Sequence, residues 1–203
     1  MKIFISGTGT DVGKTLISSW IVLHTGFSYF KPIQTGTKDS TDSEKVQILS
    51  GAKVYPEIYS YPEPLSPHLA AKIENDRIEI NKIVLPKQDT LLVEGAGGVL
   101  VPLNEQYLMV DLIKHLNIPV ILVSLTNLGC INHTLLSLEA LRARNILVLG
   151  VIMNGRKNVE NNKSIEYYGR VCILDDFPYL FKISTVVLKN LELSEKLKEI
   201  LNA

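Results

Sequence analysis

The sequence predicts a doubly wound α/β fold, a mostly parallel sheet with helices on both faces. Short apolar segments rich in β-branched residues alternate along the chain with segments of helical periodicity. Near-continuous apolar strands of this kind are typical of a parallel sheet that is buried on both sides. Neither an internal repeat nor a low-complexity tract interrupts the alternation, so residues 1–203 are expected to form one domain.

The five strongest apolar runs predict strands at residues 2–6, 29–31, 90–94, 119–124 and 146–153. Helical periodicity predicts helices at residues 14–24, 43–49, 132–144 and 191–201. Thr41 and Glu44 have the spacing of a capping box at the start of the second helix. Ser66 followed by Pro67 predicts another helix, at residues 67–72. Residues 55–67 include four prolines and are expected to be an irregular surface stretch.

The composition narrows the class of partners. The chain carries 21 Lys and Arg residues against 21 Asp and Glu residues, so no overall field draws it to nucleic acid or to an anionic membrane. The N-terminus does not resemble a secretion signal, and no apolar run is long enough to span a bilayer. A cytoplasmic location is therefore expected. Cys130 and Cys172 have neither disulfide nor metal-ligand spacing and are expected to be buried apolar residues.

The most specific signal is a glycine-rich loop directly after the first predicted strand. Its residues, 7–15, are Gly-Thr-Gly-Thr-Asp-Val-Gly-Lys-Thr, and a helix follows at once. A turn of this kind can present several backbone N–H groups to a phosphate, and the helix N-terminus adds partial positive charge. Lys14 can reach the β- and γ-phosphates, and the Thr15 hydroxyl can bind Mg²⁺. The loop therefore predicts an ATP-binding protein.

One feature of this loop is irregular. Five residues separate Gly7 from Gly13, whereas the usual pattern has four, and Thr8 stands where the first glycine would be. The alternative is a glycine-rich turn between strand and helix that binds no phosphate. Gly-Lys-Thr in this position favours the phosphate loop.

Three charged residues lie near the predicted strand ends, where ligands bind in open α/β sheets. Glu94 ends an apolar strand and could help to hold Mg²⁺; a solvated carboxylate is the alternative. Asp42 precedes a helix, where it could equally bind metal or complement the helix dipole. Lys31 closes the second strand and could neutralise a transferring phosphoryl group, or it could be an ordinary surface lysine.

Taken in order, several blocks resemble the dethiobiotin synthetase family. They are the loop at 7–15, Lys-Pro-Ile-Gln-Thr-Gly at 31–36, Asp42, Ser-Pro-His-Leu-Ala-Ala at 66–71, Val-Glu-Gly-Ala-Gly-Gly at 93–98, Val-Pro-Leu at 101–103 and Leu-Gly-Cys-Ile-Asn-His at 128–133. The resemblance covers residue 1 to about residue 154. The phosphate loop is shared by many ATPases, and the blocks at 93–98 and 128–133 are together more specific.

The resemblance implies a reaction in biotin biosynthesis that requires ATP and Mg²⁺. An amine of 7,8-diaminononanoate is carboxylated by CO₂, ATP phosphorylates the carbamate, and the second amine closes a ureido ring to give dethiobiotin, ADP and phosphate. The phosphoryl transfer from ATP to the carbamate joins two anions, so its catalysis depends on positioning and positive charge. Both suit a site rich in lysine. The family resemblance also implies a homodimer in which the two subunits share the substrate site.

The resemblance assigns roles to residues of this chain. Lys14, Lys31 and Thr10 would be catalytic. The nucleotide would be bound by Asp11, Val12, Gly13, Lys14, Thr15 and Asn154, the last of which would face the adenine. Mg²⁺ would be held by Thr15, Asp42 and Glu94. The substrate would be bound by Asp11, Lys31, Thr35, Leu128, Gly129, Cys130, Ile131 and Asn132, of which the last five would act through the backbone of the second subunit.

Some side chains in these blocks carry other expectations. Those of Cys130 and His133 are expected to pack or to cap rather than to react. Asp11 stands where the family often has glutamate, and Gln34 where smaller residues are common. Neither disrupts the phosphate site, but either could alter how the diamine sits. The residues around Phe177 and Pro178 match the family too weakly for nucleotide-base contacts to be assigned to them.

Two other functions fit parts of the sequence. One is a nucleotide-dependent switch of the partition or septum-site ATPase type, which shares this fold and has a deviant phosphate loop. Those proteins carry an additional lysine near the start of the loop, and residues 7–12 contain none. The other is a degenerate relative that binds nucleotide without catalysis. The presence of Lys14, Lys31 and Glu94 argues against it.

Overall fold

A computed structural model describes residues 1–202 and is built on a parallel sheet. Its strands are β1 (Lys2–Gly7), β2 (Ser28–Phe30), β3 (Ile33–Thr35), β4 (Val54–Tyr55), β5 (Tyr59–Tyr61), β6 (Leu91–Glu94), β7 (Val120–Leu125), β8 (Val148–Asn154) and β9 (Ile173–Phe177). Seven of them form one sheet in the order β4-β2-β6-β1-β7-β8-β9, and all neighbours in it run parallel. β3 and β5 form a separate parallel pair. The predicted doubly wound fold is confirmed.

Helices cover both faces of the sheet. They are α1 (Lys14–Thr25), α2 (Asp42–Ser50), α3 (Pro67–Ile73), α4 (Met109–Leu116), α5 (Cys130–Arg142), α6 (Val159–Gly169), α7 (Thr185–Lys189) and α8 (Glu195–Leu201), with a short 3₁₀ turn at Ile80–Lys82. The apolar side chains of α3, α4, α5 and α6 pack on one face, and those of α1, α2, α7 and α8 pack on the other. Each face therefore has its own core.

The alternation of side chains along β1 divides these two cores. Phe4 points into the core beneath α4 and α5, whereas Ile3 and Ile5 point into the core beneath α1. All three are fully buried, as expected for a central strand with helices on both sides. Because β1 is central, its carboxyl end and those of β6 and β7 meet in the middle of one sheet edge.

The predicted helix starts are largely confirmed by their caps. Thr41 and Glu44 form the predicted capping box at the start of α2. Pro67 occupies the first turn of α3, although the Ser66 hydroxyl pairs with His68 rather than with a backbone amide. The C-terminal helix is shorter than predicted: Ser194 caps it, so it begins at Glu195 rather than at residue 191.

The expectation of an irregular stretch at residues 55–67 is wrong in part. Tyr59–Tyr61 is a strand, and it pairs with Ile33–Thr35 because both segments leave the main sheet together. The two tyrosines at its ends are buried in the core below α3, which is why this proline-rich segment is ordered. The strand β9 and the helices α4, α6 and α7 also lie outside the predicted elements.

Two further expectations have different outcomes. Cys130 is buried, but Cys172 is exposed just before β9, where the chain reaches the edge of the sheet. His133, which was expected to pack or to cap, is exposed on α5 and does not pack in the core. None of the helices between residues 1 and 202 is long and apolar enough to cross a membrane.

Candidate active site

The glycine-rich loop connects β1 to α1 through left-handed backbone. Asp11 has a φ of 57° and Gly13 a φ of 92°, conformations in which a side chain is strained. A side chain at Gly13 would also clash, because its Cβ atom would lie 2.1 Å from the side-chain nitrogen Nδ2 of Asn154. α1 begins at the next residue, Lys14, whose Nζ donates a 2.9 Å hydrogen bond to the carbonyl of Gly9. The lysine thus folds back over its own loop.

The glycine block after β6 packs directly against this loop. A Cβ atom on Gly98 would lie 3.2 Å from the Cα atom of Gly9, so a side chain there would push the two backbones apart by a few tenths of an ångström. The parallel register pairs Ile5 with Glu94, which brings the end of β6 beside the start of the loop. The two most specific glycine blocks of the sequence are therefore in contact.

Glu94 is the centre of the hydrogen-bond network at this sheet edge. It is fully buried, and four groups donate to its carboxylate. Oε1 accepts from Thr15 Oγ1 at 2.8 Å and from Lys31 Nζ at 3.0 Å. Oε2 accepts from Ser18 Oγ at 2.7 Å and from Tyr29 OH at 3.0 Å. The alternative of a solvated carboxylate is wrong, because the side chain is fully buried and hydrogen-bonded through both oxygens.

Lys31 joins two carboxylates that are far apart in sequence. Its Nζ lies 3.0 Å from Glu94 Oε1 and 2.9 Å from Asp42 Oδ2. The lysine is buried, so the alternative of an ordinary surface lysine is wrong as well. Burial alone would lower the pKa of Lys31, but the charges of Glu94 and Asp42 outweigh it and raise that pKa. The ammonium group is consequently held in its charged form.

The pKa values of three other titratable groups of the site are shifted in different directions. Burial lowers the pKa of Lys14 to about 8, against the opposing attraction of Glu94. Burial would raise the pKa of Asp42, but the Lys31 ammonium outweighs it and lowers that pKa. Burial, together with the charge of Glu94, raises the pKa of Tyr29 well above its usual range. Tyr29 is therefore a protonated donor at neutral pH.

Lys14, Lys31, Asp42 and Glu94 border one cavity of about 970 Å³ beyond the carboxyl ends of β1, β2 and β6. Nine predicted site residues line it: Thr10, Asp11, Gly13, Lys14, Thr15, Lys31, Thr35, Asp42 and Glu94. Two lysines, three carboxylates and three hydroxyl groups thus converge on a space that is large enough for a nucleotide and a small substrate.

The remaining predicted residues lie outside the lining of this cavity. Val12 is buried against α1, and its carbonyl accepts a 2.9 Å hydrogen bond from Asn154 Nδ2. Asn154 ends β8 and supports the loop from behind. The segment from Leu128 to Asn132 crosses into α5, with Leu128 fully exposed and Cys130 buried.

A second cavity, of about 810 Å³, opens beside the end of β8. Its lining includes Gly155, Lys157, Asp176, Pro178 and Tyr179. Pro178, to which the family resemblance assigned no nucleotide contact, therefore borders a cavity whose lining begins at Gly155, one residue beyond Asn154.

Two residues of the site were missed by sequence reasoning. Ser18 and Tyr29 donate to Glu94. The buried Gln34, which the sequence did single out, accepts from the backbone N–H of Asp42 at 3.2 Å. A signal existed for Ser18 and Tyr29. Ser18 lies three residues after Thr15 on a helix, and Tyr29 lies two residues before Lys31, so each shares a face with a predicted site residue.

The donor set of the cavity fits a magnesium ion that is bound together with phosphates. Thr15, Asp42 and Glu94 offer the oxygen ligands that this hard cation prefers. The two carboxylates already converge on one cationic group, the Lys31 ammonium. Within residues 1–202, no cluster of three or more His, Cys, Asp or Glu side chains could hold a metal by itself. Phosphate oxygens would therefore have to complete the coordination shell.

The fold and the loop define a protein of the P-loop NTPase class. A solved structure of a putative plasmid partition protein from Borrelia burgdorferi matches over 99% of this chain and 95% of its own, with a TM-score of 0.56 and 12% identity. A ParA family ATPase from Chlorobium tepidum matches over 98% and 96%, with a TM-score of 0.51 and 10% identity. At such low identity these likenesses establish the fold alone.

Sequence relatives establish the family. An ATP-dependent dethiobiotin synthetase of Lawsonia intracellularis is 52% identical over 98% of both chains. One of Neorickettsia sennetsu is 42% identical over 100% of this chain and 96% of its own. The family model described as an AAA domain matches residues 1–186. The chain belongs to the ATP-dependent dethiobiotin synthetase family, so the resemblance drawn from the sequence is confirmed.

Proposed function

We propose that this enzyme forms dethiobiotin from 7,8-diaminononanoate, CO₂ and ATP, in the presence of Mg²⁺ and within the cytoplasm. The observation that carries the proposal is the single cavity in which Lys14, Lys31, Asp42 and Glu94 surround the end of the phosphate loop. The family membership supports the same reaction. A cavity that gathers two cations beside a phosphate loop suits phosphoryl transfer between two anions.

The reaction would proceed in three steps. One amine of the diamine attacks CO₂ and loses a proton, which gives a carbamate. A carbamate oxygen then attacks the γ-phosphorus of ATP, which releases ADP and gives a carbamic-phosphoric anhydride. The second amine attacks the carbamate carbon and loses a proton, phosphate leaves, and the ureido ring closes. The anhydride is needed because a carbamate oxygen is a poor leaving group until it carries a phosphoryl group.

The chain's own residues would divide this work between them. Lys14 would extend from Gly9 to the β- and γ-phosphates, with backbone N–H groups of residues 11–15 around them. Lys31 would stabilise the carbamate and the transferring phosphoryl group, and Thr10 would help to orient them. Mg²⁺, held by Thr15, Asp42, Glu94 and phosphate oxygens, would neutralise charge on the triphosphate.

The diamine would lie on the side of the cavity that Thr10, Asp11 and Thr35 line. The Gln34 side chain supports this wall, since its Nε2 donates to the Thr35 carbonyl at 2.7 Å and its Oε1 accepts from the Asp42 amide. The larger residue at this position would therefore link the substrate wall to the start of α2. Next to the phosphate loop, Asn154 would contact the adenine, with the base directed towards the second cavity.

The substrate's carboxylate would be held by a second copy of the chain. Ile131 and Asn132 lie in the first turn of α5, and no acceptor for their amides is seen among residues 1–202. Free amides at a helix N-terminus suit an anion. Leu128, next to this turn, is a fully exposed apolar side chain of the kind that a subunit interface covers. A homodimer that shares its substrate sites accounts for both features.

Leu128→Glu is expected to disrupt this dimer and to weaken diamine binding at least about tenfold, with nucleotide affinity unchanged. Ultracentrifugation would report the assembly, and calorimetry would report both affinities. Leu147→Glu is the matched control. Leu147 is also exposed, but it precedes β8 and so lies at the amino ends of the strands, away from the cavity. Full diamine affinity in a monomeric variant would rule out the shared site.

Nucleotide binding is expected to weaken as the pH rises above about 8. Burial lowers the pKa of Lys14 to about 8, and a bound triphosphate favours the ammonium form. Above that pH, binding must therefore take up a proton, and the affinity should fall by up to about tenfold per pH unit. Calorimetry with Mg-ADP across this range would measure the slope, and Lys14→Met should lack it. A wild-type affinity that is flat through this range contradicts the role given to Lys14.

The function itself is tested by incubating the protein with diaminononanoate, bicarbonate, Mg²⁺ and ATP. Mass analysis should detect the cyclic urea, in equal amounts with ADP and phosphate. A partition-type switch would instead hydrolyse ATP without the diamine and respond to DNA or lipid. ATP turnover that is independent of the diamine, with no cyclic urea, would overturn the proposal.

A further inference from the structure

The two carboxylate oxygens of Glu94 have different surroundings. Oε1 accepts from Thr15 and Lys31, which both line the large cavity. Oε2 accepts from Ser18 and Tyr29, which are fully buried and take no part in the lining. Oε1 therefore lies on the side of the cavity, and Oε2 lies on the side of the buried core.

The elements that carry Ser18 and Tyr29 fix their positions. Ser18 lies one helical turn beyond Thr15 on α1, so both hydroxyl groups point towards the end of β6. Tyr29 lies on β2, opposite Leu92 of β6, and its ring packs in the same core as Leu92 and Val46. Neither side chain can reach a molecule in the cavity.

The two hydroxyl groups have a directional consequence for Glu94. A buried carboxylate must be hydrogen-bonded. Without such bonds the group could rotate, and neither oxygen would be directed at the cavity in preference to the other. Two donors on Oε2 fix the plane of the group and leave Oε1 aimed at the cavity. When a carboxylate binds a metal, partners of this kind set its orientation, and their loss typically weakens metal binding about 10–100-fold.

We propose that Ser18 and Tyr29 are positioning residues that hold Oε2 of Glu94, so that Oε1 is presented to the magnesium nucleotide. The inference deepens the proposed function and rests on it for the identity of the metal. Neither residue contacts substrate; they act through Glu94 alone.

The test compares Tyr29→Phe, Ser18→Ala and the double variant with the wild-type protein. Manganese, which replaces magnesium and is visible by electron paramagnetic resonance, would be titrated in the presence of ADP. Metal affinity should fall about tenfold in each single variant and up to about 100-fold in the double variant. Affinity for ADP in the presence of a chelator should not change. In turnover, the Mg²⁺ requirement should rise by a similar factor, and excess Mg²⁺ should restore much of the kcat.

Matched controls separate positioning from a general loss of structure. Tyr61→Phe removes the hydroxyl of another buried tyrosine, which donates to the carboxylate of Asp76 outside the site. Ser19→Ala removes the hydroxyl of a neighbouring buried serine, which donates to the Thr15 carbonyl. Both should keep wild-type metal affinity. Ser18→Thr retains a hydroxyl and should recover most of the loss.

Each outcome decides the inference. Unchanged metal affinity in Tyr29→Phe and Ser18→Ala would overturn it, and so would an equal loss in the two controls. If the double variant fails to fold, Tyr29→Phe, which keeps the ring, gives the answer alone. Since the titration uses ADP and manganese without the diamine, it remains decisive even if the protein makes no dethiobiotin.

Discussion

Lys14→Ala is expected to lower turnover by about 10³-fold while the protein stays fully folded. Lys14 is buried beside the phosphate loop, and within residues 1–202 the only hydrogen bond of its Nζ is to the carbonyl of Gly9. Burial lowers its pKa to about 8, which means that the folded protein bears a cost for keeping this charge at neutral pH. Removing the charge should therefore leave the melting temperature unchanged or slightly higher, although catalysis is lost.

The opposite signs of these two effects make the result specific. Turnover would be followed by phosphate release at saturating diamine, and unfolding by calorimetry. Lys14→Met keeps the aliphatic stem and should be as inactive as Lys14→Ala. Lys38→Ala removes an exposed lysine that pairs with Glu63 and should change neither quantity. Near-normal turnover in Lys14→Ala would remove the phosphate-loop assignment and the proposed reaction with it.

The parts of the fold that sequence could predict are those whose chemistry is local. The central strands are continuous apolar runs because they are buried on both faces. Gly-Lys-Thr directly after the first of them is typical of a phosphate-binding loop. The edge strand β9 is harder to predict, because two aspartates interrupt its apolar pattern. α6 carries only a narrow buried face around Ile165, so its sequence lacks a clear stripe. α4 is different: Met109, Leu112 and Ile113 have helical spacing, and this helix could have been predicted.

The site could be predicted as a set of residues but not as a network. Nine of the expected residues line one cavity because their blocks all follow the carboxyl ends of strands. What sequence could not give is the burial of Glu94 or the direction of its oxygens. Those depend on Tyr29, which lies 65 positions away and meets Glu94 only because β2 and β6 are neighbours. Pairing across a sheet carries no local signal.

Glu94→Gln is expected to have two large effects at once. It should lower the free energy of unfolding by about 3–5 kcal/mol, because a fully buried ion pair loses one partner. A carboxylate accepts from all four neighbouring donors, whereas the NH₂ group of glutamine must face two of them. For a chain of this length that loss corresponds to a fall in melting temperature on the order of 10 °C. The variant should also require far more Mg²⁺.

Asp42→Asn separates the two effects. Asp42 is a proposed metal ligand too, but its side chain is 23% exposed, so its ion pair with Lys31 is less deeply buried than that of Glu94. Its loss should raise the Mg²⁺ requirement with a smaller change in melting temperature. A magnesium titration and a thermal melt on both variants would make the comparison. If Glu94→Gln keeps a normal magnesium titration, Glu94 is a structural anchor for Lys31 rather than a metal ligand. The ordering of its two oxygens would then serve the fold alone.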